Sequence, residues 1–269
     1  LRSSIISVVE TEKYLDFFLC AFSSILKSCS KWLTKSIKPQ IDPQKQAKDV
    51  WEEFCKQILK MERANETSEV VEENNAEILT QSVLELNITE PFVDLLVTSP
   101  PYVTSYEYAD IHQLSTLWLD YSPDYKHFRT GSIGSLYHSC DLRFNVPKLN
   151  QSGLTVVMQM YSVDKKQAKA IAQYYVNMQE VVKKICNIVK KGGACLFVIG
   201  NTEYKNVKID NARHLAESLL NEGFYNVTIK RRKILNKILT PYRDKNGKFS
   251  SDKTSRKIYS EEFLIFAQL

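Results

Sequence analysis

Apolar residues in the first part of the chain recur at the three-to-four-residue spacing of amphipathic helices. This spacing predicts one helix over residues 5–36 and a second from Gln44 to Met61, with two prolines interrupting the pattern between them. The acidic and polar stretch 62–77 predicts the end of the second helix and a surface loop. We therefore expect residues 1–64 to form a helical segment that packs within the protein or against a partner.

The hydrophobic pattern changes near residue 76, where short apolar runs begin to alternate with helical spacing. Strands are predicted at residues 76–84, 93–99, 194–200, 224–235 and 262–267. Helices are predicted at residues 110–119, 163–190 and 211–221, and Gly192 and Gly193 are expected to end the second of them. The almost wholly apolar run Val93 to Ser99 is typical of parallel strands covered by helices on both faces. The alternation predicts a doubly wound α/β sheet within residues 76–269, closed by an antiparallel C-terminal hairpin.

Charge is distributed unevenly along a chain of otherwise ordinary composition. The 269 residues are 43% hydrophobic and 25% charged, which allows one large domain or two small ones. Residues 1–150 carry 15 basic and 21 acidic side chains, whereas residues 151–269 carry 21 basic and 10 acidic ones. A basic C-terminal half indicates a polyanionic partner, and a solvated lysine-rich surface is the alternative.

The remaining bulk features exclude several classes of protein. The six cysteines form no Cys-x-x-Cys pair, so we expect free thiols in a reducing compartment and no metal site. No apolar run reaches the ~18 residues that a membrane-spanning helix needs, and no signal-peptide pattern is present. We therefore expect a cytoplasmic protein without membrane association.

The segment Thr98-Ser99-Pro100-Pro101-Tyr102 carries the clearest chemistry in the sequence. It follows a predicted strand, and ligands of open α/β sheets bind beyond the carboxyl ends of the strands. Tyr102 offers an aromatic face for stacking. Ser99 Oγ and a proline carbonyl offer acceptors for an amine, because proline has no N–H and its fixed φ holds these carbonyls in a rigid turn. A purely structural Pro-Pro turn after a core strand is the alternative.

This segment resembles motif IV of the amino-group DNA methyltransferases, whose signature is (Asp/Asn/Ser)-Pro-Pro-(Tyr/Phe/Trp). The resemblance covers residues 76–269 and implies a partial Rossmann-like sheet of the S-adenosylmethionine-dependent methyltransferases, in a bacterial or archaeal protein. It also implies that Ser99 and Pro100 hold the exocyclic amine of a flipped DNA base, that Pro101 completes the turn, and that Tyr102 stacks on the base.

The serine at position 99 bears on which base is methylated. In this family the serine form is most often seen in cytosine-N4 enzymes, whereas adenine-N6 enzymes usually carry Asp or Asn. The resemblance therefore implies methylation of cytosine N4. An adenine-N6 or RNA methyltransferase is one alternative, and an inactive homologue that only binds DNA or a partner chain is another.

The cofactor site departs from the pattern of this family. Gln81 and Ser82 stand where the family has an acid near the cofactor adenine, and with Thr98 they are our candidates for cofactor binding. The Gly-rich cofactor turn of the family is missing, since no glycine precedes Gly131 and nothing similar follows residue 200. We expect a second polypeptide, or a segment lost before Leu1, to supply this turn.

Basic residues near the C-terminus are the candidates for contacts with DNA phosphates. They are Arg231, Arg232 and Lys233 on a predicted strand, and Arg243, Lys245 and Lys248 in the loop that follows. Segments 103–150 and 236–260 are the candidate inserts for sequence recognition. A solvated hairpin and loop is the alternative for these basic residues.

We expect neutralisation of the basic loop to change the salt dependence of DNA binding. Replacing Arg243, Lys245 and Lys248 with glutamine should lower the slope of log affinity against log salt by about two to three, because each lost phosphate contact releases roughly one counterion fewer. Fluorescence anisotropy at several salt concentrations measures this slope. Neutralising three lysines of the N-terminal segment is the control, and an unchanged slope in the loop variant would place the DNA elsewhere.

Overall fold

The computed structural model describes residues 1–33, 36, 39–67, 76–88, 90–103, 107–137, 140–234, 242–244, 250–257 and 260–269. The chain divides into two compact units. A helical unit comprises residues 1–79 and 107–130, and a sheet unit comprises residues 80–106 and 131–269. Among the described residues, no helix combines the length and apolar character needed to span a bilayer.

The helical unit is built around a small apolar core. Its helices are α1 (Arg2–Val8), α2 (Glu12–Ile25), α3 (Val50–Thr67), α4 (Tyr108–Ile111), α5 (Gln113–Trp118) and α6 (His127–Gly131), the last of which ends in the sheet unit. Its fully or nearly fully buried side chains are Ile5, Ala21, Phe22, Ile25 and Phe54. The predicted helical character of the N-terminal segment is confirmed, and the predicted helix 110–119 is observed as the two short helices α4 and α5.

The single helix predicted over residues 5–36 is wrong. The backbone is extended at Val9 and Thr11, which separates α1 from α2, and α2 ends at Ile25. The carbonyl of Ile25 accepts from both the hydroxyl of Ser28 at 2.8 Å and the amide of Cys29 at 3.0 Å, and turns replace the helix from Leu26 to Cys29. The next helix begins later than predicted, at Val50, where Asp49 Oδ1 accepts a hydrogen bond from the amide of Glu52 at 2.8 Å.

The sheet unit contains a mixed sheet of four strands. Its strands are β1 (Val93–Thr98), β2 (Val189–Ile199), β3 (Thr202–Tyr204), β4 (Val207–Ile209), β5 (Tyr225–Lys233), β6 (Tyr242–Arg243), β7 (Arg256–Lys257) and β8 (Glu261–Gln268). The main sheet has the order β1-β2-β8-β5, with β1 parallel to β2 and β8 antiparallel to both of its neighbours. The predicted α/β class and antiparallel C-terminal pair are confirmed. The small pairs β3-β4 and β6-β7 lie outside this sheet.

The core of the sheet unit lies on one face of the sheet. The helices of this unit are α7 (Leu142–Asn145), α8 (Gln151–Tyr161), α9 (Lys165–Ile188) and α10 (Asn211–Asn221). Apolar side chains of α8, α9 and α10 form one cluster with Cys195, Phe197, Ile265 and Ala267, which are fully buried. Alternate residues of a strand point to opposite faces, so these side chains define the covered face of the sheet.

Two further sequence predictions need correction here. The strand predicted over residues 76–84 is wrong: the chain has no strand there and forms a 3-10 turn at Val83–Glu85, where Ser82 Oγ accepts a hydrogen bond from the amide of Leu84 at 3.3 Å. Short apolar runs do not by themselves distinguish a strand from irregular chain. Gly192 and Gly193 do not end α9, because that helix stops at Ile188 and both glycines lie within β2.

A buried polar network joins the helices beneath the sheet. Asn150 Nδ2 donates to the carbonyl of His214 and to Ser218 Oγ, each at 3.0 Å. The His214 ring stacks on Tyr175 with centroids 3.9 Å apart and lies 3.2 Å from Gln179 Oε1. Burial lowers the pKa of His214 from 6.5 to about 3, so the imidazole is neutral in the folded protein at neutral pH.

This histidine makes the stability of the fold sensitive to acid. Because the pKa of His214 is lower in the folded than in the unfolded state, the unfolded state binds the proton first, and stability falls as pH drops below about 6.5. Between pH 7 and pH 5 we expect the wild-type protein to lose about 2 kcal/mol more unfolding free energy than His214→Gln. Urea titrations at both pH values measure this. The exposed His112 is the control, because His112→Gln should follow the wild type; equal losses in wild type and His214→Gln would contradict the prediction.

Candidate functional site

The Ser-Pro-Pro-Tyr segment leaves the carboxyl end of β1, as the sequence predicts. β1 ends at Thr98, which pairs with Phe197 of β2. Because β1 and β2 are parallel, their carboxyl ends lie side by side, and residues 99–102 are next to the turn that follows β2. This is the edge at which open α/β sheets bind their ligands.

The hydroxyl of Ser99 is oriented by the neighbouring strand. Ser99 Oγ donates its hydrogen to the carbonyl of Val198 at 3.0 Å. A hydroxyl has one hydrogen and two lone pairs, so this bond leaves the lone pairs of Ser99 Oγ as acceptors. Ser99 can therefore receive a hydrogen bond from an amine without first having to turn its own hydrogen away.

A buried tyrosine forms a hydrogen bond to the Pro-Pro turn. Tyr174 of α9 is 1% exposed, and its hydroxyl donates to the carbonyl of Pro101 at 2.9 Å. Pro100 and Val103 are buried, whereas Pro101 and Tyr102 are half-buried. The Pro101 carbonyl is thus directed into the core. Proline already fixes φ, and this contact adds to the rigidity of the turn.

The ring of Tyr102 lies against the backbone of Gly200. A Cβ at position 200 would be 3.6 Å from Cζ of Tyr102, which is ordinary van der Waals contact. The hydroxyl end of the ring therefore lies beside Gly200, just beyond β2. Tyr102 is half-buried, so part of its side chain is exposed at this edge of the sheet.

The support for Tyr102 is itself fixed by the start of α10. Asn211 is 1% exposed and its Nδ2 donates to the carbonyl of Gly200 at 2.9 Å, while its Oδ1 accepts from the hydroxyl of Tyr175 at 3.3 Å. Asn201 Oδ1 accepts from the amide of Ala212 at 3.0 Å. No role for Tyr174, Asn201 or Asn211 follows from the sequence pattern alone. The Gly-Asn pair directly after an apolar strand was the available signal, because such a pair breaks the strand pattern.

The three residues predicted to bind the cofactor differ in secondary structure and in solvent exposure. Thr98 is half-buried at the end of β1. Gln81 is exposed, and Ser82 is half-buried at the start of the 3-10 turn, where its Oγ accepts from Leu84. The strand predicted over residues 76–84 is absent, so Gln81 and Ser82 do not lie in or at the end of a strand. Their role in cofactor binding stays a prediction.

Two of the six residues predicted to contact DNA phosphates form cross-strand ion pairs in the structure. On β5, Arg231 faces Glu261 of β8 with a nitrogen–oxygen distance of 3.6 Å, and Arg232 Nε donates to Glu262 at 2.6 Å. These cross-strand pairs neutralise two of the predicted cations. Lys233 is exposed and Arg243 lies on β6. Lys245 and Lys248 fall outside the described residues.

Comparison with characterised proteins points to the methyltransferase class. The chain is similar to the Type II methyltransferase M.MvaI of Kocuria varians, with 24% identity over 245 residues that cover 82% of this chain and 53% of that protein. The chain therefore spans about half the length of this relative. No family model matches the chain. The similarity supports a methyltransferase, and the observed α/β sheet with its helical N-terminus is compatible with that class.

We expect Asn211 to be essential for the stability of the turn that supports Tyr102. Asn211→Ala would leave the carbonyl of Gly200 without its buried donor, which costs about 1–3 kcal/mol of unfolding free energy. Thermal and urea unfolding measure this loss. Asn221 is exposed at the other end of the same helix, so Asn221→Ala is the matched control and should change stability little. Equal stabilities of the two variants would mean that the turn does not depend on Asn211.

Proposed function

We propose that this chain is the base-binding part of a DNA methyltransferase that transfers the methyl group of S-adenosylmethionine to an exocyclic amine, with cytosine N4 as the target. The observation that carries the proposal is the bond from Ser99 Oγ to the carbonyl of Val198. It leaves a neutral acceptor at the carboxyl end of β1, beside a rigid Pro-Pro turn and a supported aromatic ring. The similarity to a Type II methyltransferase supports the reaction class.

In this proposal the target base is flipped out of the DNA stack and held by three groups. The ring of Tyr102 stacks on one face of the base. Ser99 Oγ and the carbonyl of Pro100 accept hydrogen bonds from the exocyclic amine. Accepting both hydrogens in the base plane directs the nitrogen lone pair out of that plane. The amine nitrogen would then be placed to bond the methyl carbon as the methyl–sulfur bond of the cofactor breaks and leaves a neutral thioether, with one N–H proton released to solvent.

S-adenosylmethionine, when bound, supplies a methyl group made electrophilic by its positively charged sulfur. Of the described residues, Thr98 stands at the strand end where such a ligand would meet the base, with Gln81 and Ser82 as the further candidates. In this proposal these residues form one side of the cofactor pocket. We propose that the Gly-rich side comes from a polypeptide segment beyond these residues, either in a second chain or elsewhere in the same protein. The share of M.MvaI that this chain does not match is long enough for such a segment.

The serine at position 99, a neutral acceptor, favours cytosine N4 over adenine N6, because the Ser-Pro-Pro-Tyr segment resembles the form of the motif most often seen in cytosine-N4 enzymes. DNA rather than RNA is favoured by the same resemblance, and the exposed Lys233 and the basic segment 236–260 would contact its phosphates. An inactive homologue is the second candidate. The arrangement of Ser99 and Tyr102 argues against it, because a protein that only binds a partner has no need of an acceptor and an aromatic platform at the ligand edge of the sheet.

Analysis of the modified nucleoside tests this function. DNA incubated with S-adenosylmethionine and the complete natural protein is digested, and its nucleosides are identified by mass spectrometry. We expect N4-methylcytosine. N6-methyladenine alone would contradict the proposed base, and absence of any methylated nucleoside in DNA would favour the inactive homologue or an RNA substrate.

Variants of Tyr102 test the stacking role in the same assay. Tyr102→Ala should lower methyl transfer by about 10- to 100-fold, because stacking of a base on an aromatic ring contributes roughly 1–3 kcal/mol. Tyr102→Phe keeps the ring and is the matched control, so it should retain most of the activity. Near-normal activity of Tyr102→Ala would reject the stacking role.

A further inference from the structure

The face of the main sheet opposite the helices is apolar and open. Strand register places Val97, Leu196 and Phe266 in one row, and Val198 and Leu264 in the next. Leu95 begins a third row beside Ala194. None of these side chains belongs to the buried cluster or to the half-buried residues packed against it. We call this surface the open face, defined by Leu95, Val97, Leu196, Val198, Leu264 and Phe266.

The open face is most exposed at β1. Leu95 and Val97 are each 60% exposed, although they belong to a strand whose sequence is that of a fully buried parallel strand. Ala194, Leu196 and Val198 on β2 are half-buried. A contiguous apolar patch of this kind on a sheet marks a surface that another polypeptide covers.

β1 is also the last strand on its side of the sheet, among the strands that the structure describes. Its backbone pairs with β2 along one edge. The other edge offers hydrogen-bonding groups to a further strand, and exposed apolar edges of this kind are normally protected in native proteins. β1 therefore presents two unsatisfied surfaces at once, an edge and an apolar face, and both lie directly before the Ser-Pro-Pro-Tyr turn.

The surroundings of the open face indicate what covers it. Two ion pairs lie near this face and edge: Asp94 binds Lys190 at 2.9 Å, and Arg232 pairs with Glu262. The exposed Lys230 also stands on this face, opposite Leu264, but on β5 at the far side of the sheet from β1. Around Leu95 and Val97 the face is apolar, so a polyanion such as DNA has no cluster of cations to contact there. A polypeptide that adds a parallel strand and lays an apolar helix over the face satisfies both surfaces. This chain spans about half of M.MvaI, which leaves a segment of comparable length as the source of such elements.

We infer that the free edge of β1 and the open face form the interface for the polypeptide segment that completes the cofactor site. That segment adds a strand parallel to β1 and covers Leu95 and Val97 with a helix. That the segment completes a cofactor site rests on the proposed function. The position of the interface rests only on the free edge of β1 and on the open face. Because the Ser-Pro-Pro-Tyr turn follows β1, the added strand would end beside Thr98, where the remaining side of a pocket is needed.

Hydrogen exchange on two preparations tests this inference. One is the complete natural protein, purified from its source cells through a tag on this chain together with every polypeptide that accompanies it. The other is residues 1–269 expressed alone. We expect the outward-facing amides of residues 93–98 to exchange at least about 100-fold more slowly in the complete protein, because an added strand supplies their acceptors. Equal exchange in the two preparations would overturn the inference.

Charged substitutions locate the interface. Leu95→Lys combined with Val97→Lys should abolish the protection of residues 93–98 in the complete protein, because a lysine buried without a partner is strongly unfavourable. The variant should still fold as the isolated chain, since both side chains are exposed there. Leu220 is 56% exposed on α10, so Leu220→Lys is the matched control and should leave the protection intact. Retained protection in the double variant would reject the interface.

Calorimetry with S-adenosylmethionine separates the interface from the proposed function. We expect micromolar binding by the complete protein and none by residues 1–269 alone. Micromolar binding by the isolated chain would overturn the inference, as would a dimer of the isolated chain in which residues 93–98 are protected by a second copy. If β1 is protected as expected but the complete protein binds no S-adenosylmethionine and methylates no DNA, the interface stands and the proposed function fails.

Discussion

The parallel pairing of β1 with β2 is the constraint on which the candidate site depends. Parallel strands end at the same edge, so the residues that follow β1 meet those that follow β2. Ser99 can reach the carbonyl of Val198 and Tyr102 can rest on Gly200 only because of this pairing. A shift of β1 by one residue in register would turn Thr98 to the opposite face of the sheet and would break both contacts. The geometry of the site is therefore a consequence of the sheet and not of the loop alone.

Side chains of the helices packed against the sheet hold the loop after β1 and the turn after β2 in position. Tyr174 from α9 fixes the carbonyl of Pro101, and Asn211 from α10 fixes that of Gly200. Both are large or polar side chains in nearly complete burial, where an unsatisfied group is costly. Each therefore holds its partner in one position. The Pro-Pro turn and the turn beside the ring of Tyr102 are thus held in place by buried side chains of the helices.

Sequence patterns predicted the part of the fold in which local and tertiary preferences agree. Residues 211–221 form the predicted helix, and the strands around residues 194–200, 224–235 and 262–267 are present. The first and last of these strands place apolar side chains in the core, whereas β5 is mostly exposed and is held by its pairing with β8. The prediction failed at residues 76–84, whose Ile78 is 85% exposed: the apolar pattern is real, but no neighbouring strand is present to pair with it. For the site, the motif gave Ser99 and Tyr102. Tyr174 and Asn211 could not be predicted, because they come from helices distant in sequence whose approach is set by packing.

The chemistry of Ser99 and the burial of His214 together decide how the protein responds to acidity. A serine hydroxyl does not ionise between pH 4 and pH 9, so the acceptor at the carboxyl end of β1 has the same charge throughout that range. A carboxylate in its place would lose its charge on mild acidification. Acid acts instead beneath the sheet, where protonation of the buried neutral imidazole of His214 opposes folding.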